Sequence, residues 1–183
     1  MDSGDFCALD IETAGGTWAK FPHNFDLLLA GVRYGDAYHV YSADPVSLTV
    51  LADFLERFTG VVVTFNGTGF DLPLLDTHFS RVLGRRVQVA HHYDLMWEIE
   101  RQTQLRISLD RLSRYTFGEQ KMPWDHRQNR RVWEDAPHQL IEYNRVDLDL
   151  THQLYQRILD GQHLFLGNAT VVLAPPEFGE SAP

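Results

Sequence analysis

The stretch Leu9-Asp10-Ile11-Glu12-Thr13 sets two carboxylates two residues apart at the end of an apolar run, Phe6-Cys7-Ala8-Leu9. Such a run reads as a buried β-strand, and alternate residues of a strand share a side. Asp10 and Glu12 are therefore held side by side at the edge of a core. Like charges that close repel each other, and burial raises the cost. A divalent cation would turn that repulsion to use, because hard cations prefer carboxylate oxygens.

Two later stretches carry acids that could join them. Thr64-Phe65-Asn66-Gly67-Thr68-Gly69-Phe70-Asp71 reads as a strand end, a glycine turn and a helix start. Asp71 is there either a cap for that helix, with Pro73 in the first turn, or an acid delivered to the same end of the sheet as Asp10 and Glu12. In the helical stretch from Leu140 to Leu154, Tyr143 and Asp147 lie four residues apart on one stripe. Asp147 occupies a position where an amphipathic helix should show an apolar residue. It is either a half-buried acid paired with an arginine or part of a site. Asp149 points about 200° away from Asp147 and is expected in solvent. Asp94 is expected to cap the helix beginning at Leu95. His91 and His92 are strand neighbours on opposite faces, so they cannot share a metal.

The elements that must position these residues follow from periodicity. Strands are expected at Phe6 to Ile11, Leu27 to Tyr34, Ala37 to Tyr41, Val61 to Phe65 and Arg86 to Tyr93, with Gly35-Asp36 as a hairpin turn. Helices are expected at about 45–58, 71–83, 94–104, 108–117 and 137–160. Asp44 and Pro45 open the first of these and Gly84 closes the second. The segment from Gly118 to Ala136 reads as irregular surface. The tail holds one β-like run, Thr170 to Leu173, and a frayed polar end. Hairpin strands, then strand-helix-strand, then helices, predict an α/β domain with a central mixed β-sheet flanked by helices.

Bulk properties narrow the class. The chain has 183 residues, 44% hydrophobic and 22% charged, the profile of one globular domain. Its net charge of -9 argues against a non-specific nucleic-acid binder, unless the acid is gathered in a metal site. The single cysteine, Cys7, makes no intramolecular disulfide, reads as core, and suits a reducing, cytoplasmic location. No apolar stretch approaches the roughly 18 residues of a membrane helix, and the acidic start is unlike a secretory signal. No membrane partner is expected.

In order, D-I-E on a first strand, N-x-x-x-x-D at a strand-turn-helix and Y-x-x-x-D on a late helix resemble the three motifs of the DEDD superfamily of 3′–5′ exonucleases, whose fold is RNase H-like (DnaQ-like). One branch of that family has a histidine five residues before the last aspartate, where this chain has Glu142. The other has a tyrosine four before it, which Tyr143 matches. The chain thus resembles the DEDDy branch. The second motif and the segment from Ser108 through Lys121 look most like stand-alone family B DNA polymerase-type exonuclease domains. The resemblance spans about residues 6–160 and implies one exonuclease domain over 1–161, with residues 162–183 as a partly disordered extension.

The resemblance also implies roles. Asp10, Glu12, Asp71 and Asp147 would hold two divalent ions, Mg²⁺ or Mn²⁺, about 3.5–4 Å apart. Tyr143 would orient the attacking water. Thr13, Asn66, Phe70 and Leu74 would contact the substrate, the 3′ end of single-stranded DNA or RNA, releasing nucleoside 5′-monophosphates, with core packing an equal alternative for Leu74. Arg127, Arg130 and Arg131, interleaved with Trp124 and Trp133, would either track the strand or form a solvated loop. A polymerase, helicase or repair or RNA-processing protein would be the partner. A catalytically silent nuclease-fold binding module and an RNase H-like endonuclease are the competing readings.

Overall fold

The structure, a computed structural model, describes residues 5–118 and 123–176. Its five-stranded sheet has the order β3-β2-β1-β4-β5, formed by β1 (Phe6–Gly15), β2 (Phe25–Tyr34), β3 (Ala37–Ser42), β4 (Val61–Thr64) and β5 (His92–Asp94). β1 runs antiparallel to β2 and parallel to β4, and β5 continues the parallel side, so the sheet is mixed. The Gly35-Asp36 turn joins β2 to β3 as expected.

Two faces of the sheet are covered by different helices. Cys7, Leu9 and Ile11 point to the face packed by α1 (Pro45–Arg57) and α2 (Asp71–Leu83), through Leu48, Leu51, Leu55, Leu74, Leu75 and Phe79. Burial pushes the Cys7 thiol up, and it acts as core. On the opposite face lie α3 (Leu95–Thr103), α4 (Leu109–Phe117) and the long α6 (Pro137–Leu159). Phe6 meets His152 and Tyr155 of α6 with ring centroids 4.6 and 4.8 Å apart. Strand alternation then sends Asp10 and Glu12 toward the same helix, further along.

Length mismatch between strands opens the site. β4 ends at Thr64, and its pairing with β1 stops at Ala8. β1 continues to Gly15, supported by β2 alone, through a register shift between Glu12 and Thr13. Beyond Ala8, the side of β1 that faced β4 is free for the turn after β4 and the start of α2.

Four expectations are corrected. The strand expected from Arg86 is only three residues long, because four-residue β4 offers partners only for His92, Tyr93 and Asp94. The stretch from 118 to 136, where described, is not irregular: a 3₁₀ turn (His126–Gln128) leads into α5 (Asn129–Asp135), packed against β1 and α6. Asp149 is not free in solvent; it is ion-paired to Arg33. The tail forms a two-strand hairpin, β6 (Leu164–Phe165) with β7 (Thr170–Val171), that buries Leu164, Val171 and Leu173 in the α6-side core. The frayed end expected beyond 176 lies outside the described residues, as do residues 119–122.

Candidate active site

Asp10, Glu12 and Asp147 converge. One carboxylate oxygen from each lies within 4.8 Å of the others. Glu12 and Asp147 are buried, at 3% and 8% exposure, so the charges cannot be spread into water. β1 supplies two of them two residues apart, and α6 supplies the third from its sheet-facing stripe. Three hard oxygens at this spacing fit a divalent cation. They open on a pocket of about 660 Å³, whose walls include Thr13, Trp18, Asn66, Phe70, Asp71, His126 and Tyr143. A second concavity of about 690 Å³ lies beside α2. Its one carboxylate, Asp76, is paired with Arg86 at 2.7 Å, so the chemistry belongs to the first.

Asp71 lines the same pocket but is not part of the trio. It is the first residue of α2 rather than its cap; the cap position is Phe70. Its carboxylate instead accepts the N–H of Ile11 at 3.1 Å, on the stretch of β1 that β4 is too short to pair. Burial pushes the Asp71 carboxyl up to about 7 against the pull of its backbone N–H bonds, and the charges of Asp94 and Asp147 add to the rise. A cation nearby would reverse that direction. Asp94 caps α3 as expected, accepting from Met96 and Trp97, and it also takes the N–H groups of Asn66 and Thr68. One buried carboxylate thus ties the second motif's turn to α3. Asn66 holds a left-handed φ of 70°, which asparagine tolerates better than most residues.

Tyr143 lies one helical turn before Asp147 and is hydrogen-bonded to it. Its ring stacks on Trp124 at 4.5 Å, with His126 edge-on at 5.7 Å. Burial, then the charges of Asp147, Glu12 and Asp10, raise its hydroxyl far above the ordinary tyrosine value. It stays protonated across physiological pH and can donate a hydrogen bond but not accept a proton.

The remaining expected residues divide. Thr13, Asn66 and Phe70 line the pocket. Leu74 does not: it is fully buried in the core between α2 and the sheet, on the inner face of its helix. Phe70 belongs to an aromatic cluster, stacked on Phe21 at 5.4 Å, with Phe25 and Trp18 at 5.6 and 5.7 Å. Trp18 is 69% exposed. The three exposed arginines lie on the 3₁₀ turn and α5 rather than on a loop, and each is ion-paired, Arg127 with Asp125, Arg131 with Asp135 and Arg130 with Asp26 of β2. Trp124 turns inward rather than along a strand track.

Sequence reasoning missed two buried asparagines. The Asn144 amide donates to Asp10 at 2.6 Å, and the Asn129 amide to Glu12 at 3.1 Å. For Asn144 a signal existed: it sits four residues from both Leu140 and Leu148, a polar residue on a buried stripe. For Asn129 none did, because its polar surroundings look like a loop.

This arrangement of sheet, helices and acids has relatives. The sequence matches the RNase H superfamily over residues 7–159, and the chain belongs to that superfamily. The α/β RNase H-like fold expected from the motifs is the one observed. Among solved structures, the family B DNA polymerase from the hyperthermophilic archaeon Pyrobaculum calidifontis is similar, with a TM-score of 0.69 and 22% identity. The likeness covers 84% of this chain and 24% of the polymerase chain, and at that identity it concerns the fold. No curated protein matches in sequence. Among the described residues, no helix is long and apolar enough to cross a membrane.

Proposed function

We propose that this protein is a metal-dependent 3′–5′ exonuclease that shortens single-stranded nucleic acid and releases nucleoside 5′-monophosphates. The observation that carries the reading is the convergence of Asp10, Glu12 and Asp147, with Tyr143 one turn away on the same helix. Asp10, Glu12 and Asp147 would hold one Mg²⁺ or Mn²⁺ ion, and Asp10 with Asp71 a second. Two such ions supply a nucleophile at neutral pH and charge on the leaving oxygen.

The chain's own residues do the rest. Tyr143, kept protonated, gives its one hydroxyl proton to the Asp147 carboxylate, and its oxygen accepts from the attacking water and orients it rather than deprotonating it. Trp124 and His126 hold its ring in place. Phe70 and exposed Trp18 offer flat surfaces to the terminal bases. Thr13 and Asn66, both lining the pocket, would border the sugar-phosphate path. The 3′ polarity rests on the order and spacing of the three motifs. The substrate is taken as DNA or RNA alike, and the two arms of the assay below separate them.

A degradation assay tests the reading. DNA and RNA single strands labelled at the 5′ end, with free or blocked 3′ ends, are incubated with Mg²⁺, Mn²⁺ or EDTA. We expect a ladder of shortened products with metal, none in EDTA, and protection by the 3′ block. Internal cuts, or equal decay of blocked and free ends, would establish the endonuclease. Binding without shortening would establish the silent module.

A further inference from the structure

Both β1 carboxylates are held by the same three-part device. At Asp10, the Tyr38 hydroxyl donates to Asn144 Oδ1 at 3.0 Å, and Asn144 Nδ2 donates to Asp10 Oδ2 at 2.6 Å. At Glu12, the Trp124 indole N–H donates to Asn129 Oδ1 at 2.7 Å, and Asn129 Nδ2 donates to Glu12 Oε2 at 3.1 Å and to the Thr13 carbonyl at 3.0 Å. The asparagines lie 134 and 117 residues from their carboxylates, on separate helices. They are 0% and 1% exposed.

The order of parts has a physical consequence. An amide can present oxygen or nitrogen to a neighbour, and buried polar atoms must be paired. An indole N–H can only donate, so it fixes the Asn129 oxygen toward Trp124 and the nitrogen toward Glu12. The Tyr38 hydroxyl could donate or accept, but an ionised Asp10 carboxylate only accepts, so the Asn144 nitrogen turns to Asp10 and the oxygen to Tyr38, whose hydroxyl also faces the Ile141 carbonyl at 3.3 Å. Each carboxylate thus receives an N–H it can accept only through a lone pair, and its rotamer is set before any ion arrives. Gly31 on β2 shows how closely this is fitted: a Cβ there would lie 1.9 Å from Asn144 Oδ1.

We propose that Asn144 and Asn129 are positioning residues that preset Asp10 and Glu12 for metal, with Tyr38 and Trp124 locking the amides. This inference rests on the metal-dependent reading above. Residues that orient metal ligands typically contribute 10–100-fold in metal affinity.

The test measures Mn²⁺ binding alone by calorimetry and by electron paramagnetic resonance of free Mn²⁺, on the wild type, Asn144→Leu, Asn129→Leu and Tyr38→Phe. Melting in EDTA is recorded for each. We expect Mn²⁺ affinity to fall roughly tenfold or more in the asparagine variants, and in the same direction but less in Tyr38→Phe. Turnover should return toward wild type as Mn²⁺ is raised. A merely structural role would lower the melting temperature and leave Mn²⁺ affinity unchanged, and that result overturns the proposal. If an asparagine variant does not fold, Tyr38→Phe, which removes one oxygen outside the pocket, decides: unchanged affinity there refutes the lock. Failure of the wild type to bind Mn²⁺ would instead refute the functional reading itself.

Discussion

The pocket has two walls made by different forces. One, from β1 and α6, is polar and directional: Asp10, Glu12, Asp147 and Tyr143, each held by hydrogen bonds. The other is aromatic: Trp18, Phe21, Phe25 and Phe70, ring against ring at 5.2 to 6.1 Å. On the proposed function, the polar wall would act at a phosphorus atom, where chemistry depends on angles and suits bonds that fail when misaimed. The aromatic wall would grip a base of any identity, which depends on area, so faces alone suffice. The polar wall should therefore govern turnover, and the aromatic wall affinity.

The sharpest break in that comparison is Asp147→Asn. Activity should fall to background. In EDTA the variant should melt at or above the wild-type temperature, since one of three crowded charges is gone. The wild type should gain about 2.7 kcal/mol from metal at a hundredfold excess over Kd, and the variant should lose most of that gain. Unchanged activity with an intact metal shift would remove Asp147 from the site.

Tyr143→Phe comes next. It keeps the ring on Trp124 and loses only the hydroxyl, so the metal-induced melting shift should persist while kcat drops by roughly 10²-fold. Full activity would return Tyr143 to core packing.

On the other wall, Trp18→Ala should raise KM for a single strand by roughly tenfold, with kcat little changed, as expected for lost base stacking. Replacing the stacked base by an abasic sugar should erase the difference between variant and wild type. A fall in kcat at constant KM would show that the two walls do not divide the work.

The smallest effect concerns Asp71 without metal. Its folded carboxyl sits at about 7, above the ordinary 3.8. A raised carboxyl favours the folded state while protonated, so its contribution is full below about pH 4 and is lost as pH rises toward 7. Buried His78 and half-buried His92 and His152 are lowered by desolvation and push the opposite way, but Asp71→Asn shares them. In EDTA, the melting temperature of Asp71→Asn minus that of wild type should therefore grow by several degrees from pH 5 to pH 8. A constant difference would mean that Asp71 is already ionised in the metal-free fold.

How much of this was legible depends on distance along the chain. Alternating and helical periods located β1, β2, α1, α2 and α6, because each carries its own apolar face. The acids could be read because each breaks such a pattern: Asp147 stands among leucines, and Asp10 and Glu12 follow an apolar run. Asn129 could not be read, since its reason for burial is a carboxylate 117 residues away. The same blindness made 123–136 look like surface, though Asn129 within it is buried against Glu12 and His126 lines the pocket. β5 was overextended because strand length belongs to the partner as much as to the sequence. Leu74 was weighed as a base contact because Phe70 is near it in sequence, yet Phe70 is the non-helical cap before α2, while Leu74 lies within the helix on its sheet-facing side.

The shortness of β4 makes the site a product of counting as well as of side chains. Were β4 two residues longer, its backbone would claim the ladder position beside Ile11 that Asp71 now fills. The turn through Asn66 and Phe70 would be carried outward with it, taking one bank of the pocket away from the acids. Insertions in β4 should therefore be far less tolerated than substitutions within it, even though none of its four residues touches the reaction. A gap in the sheet, left by a strand that stops early, is what brings Asp71 and the turn before it to the acids of β1.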